Sequence, residues 1–167
     1  MTVGGTRAIE LVRRAGIEHR VREYAPVERH GRDRYTRPAY GVEAAAALGV
    51  DPATVFKTLV AVVDDRLVLA VVPVTGELDL KRLADAAGGR RAELADPSVA
   101  ERATGYVIGG ISPLATRRPL PVVMDTAAIG QSTILVSAGR RGVQLEISPV
   151  DLARLTRADS ARIVRDL

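Results

Sequence analysis

Of the 24 basic residues in this chain of 167, only Lys57 and Lys81 are lysines; the rest are arginines. Lys57 stands inside the run Val55 to Val63, apolar and β-branched, which reads as a strand. An ammonium on a buried strand is costly unless an anion or carboxylate meets it, or its stem carries it to water. One reading is therefore a lysine that snorkels to solvent or pairs with a local carboxylate. The other, which we take forward, is a lysine aimed into a cavity that receives an anion, where a compact point charge fits and a guanidinium fork does not. Lys81 falls on an amphipathic helix and reads as an exposed helix lysine.

A second candidate lies in Gly105-Tyr106-Val107-Ile108-Gly109-Gly110-Ile111-Ser112-Pro113, where two adjacent glycines follow apolar residues that resemble a strand end. Glycines there let backbone approach a ligand closely, and successive N–H groups can cradle an anion or a carbonyl oxygen. A plain bulge or turn would use the same residues. Ser112 adds a hydroxyl and Pro113 stiffens the exit. A serine nucleophile needs a base beside it, yet the chain has only His19 and His30, both early and outside any triad context. Ser112 is accordingly not read as a nucleophile. With no cysteine and two histidines, neither a disulfide framework nor a structural zinc site is expected, and no cofactor is implied.

Charge is concentrated at one end. Residues 1–41 hold nine arginines and five acidic residues, whereas residues 42–167 are balanced at fifteen of each. Within the first part, Arg29, Arg32, Arg34 and Arg37 flank His30 in a polar stretch, either a loop that meets phosphates or a solvated loop.

The elements that must position these groups are short. Thr6 caps a helix to about Ala15, His19 to Tyr24 is a strand, and Val42 to Leu48 is an Ala-rich helix stopped by Gly49. Val55 to Val63 and Leu67 to Val72, joined at Asp64-Asp65, form a hairpin hydrophobic enough to be covered on both faces. Asp79 to Ala87 is a helix, Ala92 to Leu94 a strand, and Asp96-Pro97 an acidic cap with a first-turn proline. Pro121 to Asp125, Thr133 to Ser137 and Val143 to Ile147 read as strands, the last two joined by a turn over residues 138–142 with a basic tip; Ser148-Pro149 opens a helix, and the tail from Ala158 is open between strand and helix. There is no βαβ rhythm and no glycine-rich dinucleotide fingerprint. The expectation is an α+β fold: a mixed, curled, barrel-like sheet with helices packed around it, the whole of residues 1–167 forming one domain. No apolar stretch approaches the roughly 18 to 20 residues of a membrane span, and the N-terminus lacks an apolar leader core, so a soluble, cytoplasmic protein is expected.

Taken in order, Val55-Phe56-Lys57-Thr58-Leu59, Leu78-Asp79-Leu80-Lys81, Ala95-Asp96-Pro97, Thr104-Gly105-Tyr106, Gly109-Gly110-Ile111-Ser112-Pro113 and Arg141-Gly142 resemble the YbaK/EbsC family of aminoacyl-tRNA deacylases, relatives of the editing domain of bacterial prolyl-tRNA synthetase. The likeness runs from about residue 6 to the C-terminus. It implies a trans-editing hydrolase that cleaves the ester joining a wrong amino acid, most often cysteine, to proline tRNA. It also implies roles: Lys57 holding the 3′-terminal nucleotide, with Gly109 and Gly110 beside the ester, and Tyr24, Tyr40, Thr58, Ile111, Ser112, Pro113, Ser137 and Gln144 lining the substrate pocket. For the two tyrosines, ordinary half-buried packing is the alternative. The implied partners are the acceptor end of aminoacylated tRNA, met by the Arg29 to Arg37 loop, and prolyl-tRNA synthetase, with neither membrane nor DNA. The implied mechanism needs no metal and no protein nucleophile: a water activated by the substrate, or attack by the cysteine substrate's own thiol. Two departures stand out: Gln144 occupies a position where cysteine-specific relatives carry an acid, and the loop between Tyr24 and Tyr40 is longer and richer in arginine. They keep open a deacylase for alanine, a non-catalytic tRNA-binding accessory of the synthetase, and a hydrolase of other small esters.

Overall fold

The computed structural model describes residues 5–26 and 40–166. Helix α1 (Arg7–Arg14) starts where expected. The Thr6 hydroxyl accepts from the Ile9 amide at 3.2 Å, and the helix turns Ala8, Ile9 and Val12 inward. Strand β1 (His19–Glu23) and helix α2 (Tyr40–Leu48) come next; Asp51 then caps one short 3-10 turn, Pro52–Thr54. The hairpin is β2 (Phe56–Val63) and β3 (Arg66–Pro73), paired in continuous antiparallel register from Phe56↔Pro73 to Val63↔Arg66. Helix α3 (Leu80–Ala86), strand β4 (Ala92–Leu94), helix α4 (Pro97–Thr104) and strand β5 (Val122–Asp125) lead to the second hairpin, β6 (Ile134–Arg140) and β7 (Val143–Ile147). Helix α5 (Pro149–Thr156) and strand β8 (Asp159–Ala161) follow, so the tail left open by sequence is a strand.

The strands form two sheets, ordered β1-β7-β6 and β4-β2-β3-β5-β8. The second is mixed, β5 running parallel to both β3 and β8. The mixed, curled β-structure is thus shared between two sheets, and the division has a physical cause. One parallel bridge, Val55↔Leu135, ties β2 to β6. Beyond it β2 gives its second edge to β4: the Val60 carbonyl accepts from the Ala95 amide and Ala61–Val63 pair with β4. A ladder with β6 cannot extend past that point.

Alternation along β2 and β3 sends side chains to two cores. Phe56, Val60, Leu69 and Val71 join Ile9, Val12, Ile134, Val136, Leu145 and Ile147 on one side, while Ala61, Val63, Val68, Ala70 and Val72 meet Leu83, Ala84 and Ile163 on the other. Both faces of the hairpin are covered, as its continuous hydrophobicity requires. A smaller cluster of Ala45, Val55 and Leu135 sits under α2, at the bridge between the sheets.

Three local expectations are corrected. Asp96 precedes α4 but its side chain makes no capping bond. The segment before the glycine pair is not a strand end: Gly105 terminates α4 in the left-handed conformation at φ 78°, and the chain turns through residues 107–110. Strand β6 continues to Arg140, with a bulge between Ser137 and Arg140, so the hairpin turn is shorter than the 138–142 loop. Among the described residues, no helix is long and apolar enough to cross a membrane and no three His, Asp or Glu side chains cluster as metal ligands would.

Candidate active site

The bridge between the sheets defines where the candidate residues meet. Val55 pairs with Leu135, and two residues further along each strand, on the same faces by alternation, stand Lys57 and Ser137. Ser137 is in turn directly opposite Gln144 on β7, and Gln144 opposite Arg22 on β1. Since Ile134, Val136, Leu145 and Ile147 face the main core, Ser137 and Gln144 face away from it, toward the side covered by α2. Lys57 is half-buried there; Gln144 is 6% exposed, and its Oε1 has no hydrogen-bond partner among the described residues. A buried carboxamide oxygen left without a donor is costly unless a ligand or water supplies one.

The roof over this face is built from α2 and the glycine turn. The Arg141 guanidinium stacks 4.7 Å from the centre of the Tyr40 ring at the start of α2. Gly109, at φ 90°, lies so close beneath them that a Cβ would stand 2.9 Å from Tyr40 Cζ and 3.0 Å from Arg141 Cγ. Only glycine meets both the conformation and the approach. Gly110 presses against the backbone of Arg140, where a Cβ would fall 2.8 Å from its Cα. Tyr24, two residues past Arg22, donates its amide to the Gly142 carbonyl at 2.9 Å. Burial pushes the Tyr24 hydroxyl above its usual range, the Glu43 carboxylate adds to this, and the Gly142 backbone and Arg141 charge oppose it. Tyr24 therefore stays a protonated donor at neutral pH.

Lys57, Tyr24, Tyr40, Gly109, Ser137 and Gln144 thus line or roof one side of the joined sheets. The remaining candidates are turned elsewhere. Thr58 is across the strand from Lys57, paired with Val71 and so facing the main core. Ile111 packs in that core; Ser112 and Pro113 are buried, and the Ser112 hydroxyl accepts from the Leu114 amide at 3.2 Å, a turn cap rather than a free hydroxyl. The Gly110 amide closes its own turn on the Val107 carbonyl at 2.9 Å, and the Ile108 amide donates to Glu101 Oε2. Of the glycine pair, only Gly109 keeps its amide available among the described residues. Arg29, Arg32, Arg34 and Arg37 lie outside the described residues. Sequence reasoning passed over Glu43 and Arg141 as site residues; the lone acid of an Ala-rich helix and the Arg141-Gly142 pair were the available signals.

Comparisons with known proteins identify the family. Residues 36–155 match the family described as aminoacyl-tRNA editing domains. Over 159 residues the chain is 35% identical to an Enterococcus faecalis protein provisionally named Cys-tRNA(Pro)/Cys-tRNA(Cys) deacylase EbsC, covering 95% of this chain and 92% of that protein. A crystal structure provisionally described as a trans-editing enzyme for prolyl tRNA synthetase superposes with a TM-score of 0.80 at 27% identity, over 96% of each chain. At 24% identity the hypothetical protein APE2540 shares the fold, with a TM-score of 0.82 over 96% of this chain and all of that one. The fold is that of an editing domain, and the chain belongs to the aminoacyl-tRNA editing family, in its YbaK/EbsC branch. Editing removes an amino acid from tRNA, so the chemistry of this chain is deacylation, the cleavage of an aminoacyl ester.

Proposed function

We propose that the ester this chain cleaves carries a small, wrongly attached amino acid, cysteine on proline tRNA foremost, with the 3′ end of the tRNA seated on the Lys57–Ser137–Gln144 face. The observation that carries this reading is that Lys57, two residues past the bridge between the sheets, shares a face with Gln144 on the adjoining strand pair, whose buried Oε1 has no hydrogen-bond partner among the described residues. The Lys57 ammonium fixes the terminal nucleotide through its phosphate. Gln144 takes a hydrogen-bond donor from the substrate, and the Gly109 amide faces the carbonyl oxygen on which negative charge develops. The name of the Enterococcus relative supports cysteine.

No protein nucleophile is required. Water attacks the ester carbonyl, the tetrahedral species collapses, the bond to the ribose oxygen breaks, and the proton released by water ends on that oxygen. With cysteine, the substrate's own sulfur can form the new bond to its carbonyl carbon while its proton passes to the leaving ribose oxygen; water then opens the resulting thiolactone. The protein contributes orientation and exclusion of competing water. A second reading, alanine as the amino acid removed, is favoured by Gln144: it is neutral where cysteine-specific relatives carry an acid, and a pocket rejects larger side chains better than smaller ones.

The test is a deacylation panel on proline tRNA charged with Cys, Ala, Ser or Pro. Cysteine released fastest, with Lys57→Ala lowering kcat/KM by about 10²-fold or more, is the expected result. Preference for alanine selects the second reading. Equal rates for wild type and Lys57→Ala overturn the proposed site.

A further inference from the structure

Charge that looks evenly spread over residues 42–167 gathers into a belt once the chain folds. The belt starts at the site, where Gly110 presses on the backbone of Arg140. One residue earlier, Gly139 at φ 107° lies against the Tyr106 ring and Thr6. The Arg7 guanidinium covers that same ring, 4.9 Å from its centre, and donates to the Thr104 carbonyl at 2.8 Å. The Thr104 carbonyl also accepts from the Arg117 amide at 2.9 Å, and the Ala103 carbonyl from the Arg118 amide at 3.0 Å, at the C-terminal end of α4 where Arg102 stands. Arg140, Arg7, Arg117, Arg118 and Arg102 are all exposed.

These five share a second property. Among the described residues none of them forms an ion pair, which is also true of Arg14, Arg20, Arg66, Arg90, Arg91 and Arg157, whereas Arg13, Arg22, Arg82, Arg154, Arg162 and Arg165 each meet a carboxylate; what sets the five apart is that they adjoin one another from the rim of the site. The acids nearest in sequence are otherwise engaged: Glu10 pairs with Arg13, and Glu101 receives the Ile108 amide. Exposed guanidinium groups with no carboxylate, strung from the rim of a site, form a track for successive phosphates.

We propose that this belt is the docking surface for the phosphate backbone of the acceptor-stem duplex. A substrate whose 3′ end occupies the site must lay its stem on adjoining surface, and the belt is continuous with the Gly109–Gly110 turn. The proposal rests on the deacylase reading above. It assigns tRNA affinity to residues far apart in sequence that lie outside the Arg29 to Arg37 stretch.

The experiment compares two substrates: full-length charged tRNA, and an aminoacyl-adenosine that has the ester but no stem. Arg102→Ser, Arg117→Ser and Arg118→Ser are combined in one protein, with Arg118→Ser alone as a milder form and Arg90→Ser with Arg91→Ser, at the far end of the first hairpin, as a control. For the triple variant we expect KM for charged tRNA to rise on the order of tenfold with kcat unchanged. The slope of log KM against log salt should flatten by about 0.9 for each phosphate no longer neutralised, the value known for duplex DNA. Hydrolysis of aminoacyl-adenosine stays at the wild-type rate, Arg118→Ser shows a partial effect, and the control behaves as wild type. A triple variant with wild-type KM and salt slope on tRNA overturns the belt while leaving the deacylase reading intact. A wild-type protein that cleaves neither ester overturns the reading itself and the belt with it.

Discussion

At the scale of single residues, the shape of the candidate site is set in part by how closely backbone approaches Tyr40 and Arg141 at Gly109. Gly109 and Gly130 share a φ of 90°, but only Gly109 has neighbours within reach of a Cβ; at Gly130 there is open space. Gly130→Ala therefore measures the backbone strain alone, about 1–3 kcal/mol. Gly109→Ala adds a collision with Tyr40 and Arg141. We expect both to lower Tm in thermal unfolding, Gly109→Ala further, and only Gly109→Ala to reduce kcat/KM on charged tRNA. Equal activity of the two would mean that the Tyr40–Arg141 stack has no part in the reaction. Lys57 drew attention in the sequence because an ammonium in an apolar run demands an explanation, and the structure half-buries it on β2. Gly110 and Ser112 were not, because the Val107 carbonyl and Leu114 amide that engage them are fixed only once the turn is formed.

The helices and strands were mostly foreseeable from their ends: Thr6, Asp51 and Ser148 cap their elements, and Gly16 and Gly49 adopt positive φ beyond α1 and α2. Asp79 and Asp96 show what that kind of reading misses. Both precede helices, but Asp79 accepts from the Arg82 amide at 3.1 Å while Asp96 makes no capping bond. A sequence offers the same acid in both places; only the side-chain geometry separates them. Asp79→Ala should cost about 1 kcal/mol of stability, and Asp96→Ala clearly less, by denaturant titration. Similar losses would show that capping is not what distinguishes them. The bulge that carries β6 on to Arg140 was hidden for a related reason, since Gly139 reads equally well as a hairpin turn and as a strand residue packed on Tyr106.

On the scale of the whole molecule, strand content and a mixed sheet followed from pattern, but the division into two sheets did not, because it is decided by which strand takes the second edge of β2. The arginine belt was equally hidden: its members come from four separate stretches of chain, most of them within a region of balanced charge. The C-terminal end is fastened to α3 by Arg82, which meets Asp166 at 2.6 Å and the Val164 carbonyl at 2.6 Å, while Arg162 also pairs with Asp166. The Arg82 hydrogen bond, then the Arg162 charge, hold the Asp166 carboxyl below its ordinary range. A depressed carboxyl contributes stability that is present above the unfolded value, about pH 3.9, and is lost as pH falls through the lower folded one. The Tm difference between wild type and Asp166→Asn should thus be constant near neutrality and shrink below about pH 4; a difference that grows on acidification would contradict this. The lone Val55↔Leu135 bridge carries a longer consequence. The proposed substrate face straddles the seam between the two sheets, with the small cluster of Ala45, Val55 and Leu135 behind it. Mutational drift in the bulk of that hidden wedge would widen or narrow the opening with every lining residue intact, letting descendants of one ancestor discriminate among amino acids a methyl group apart.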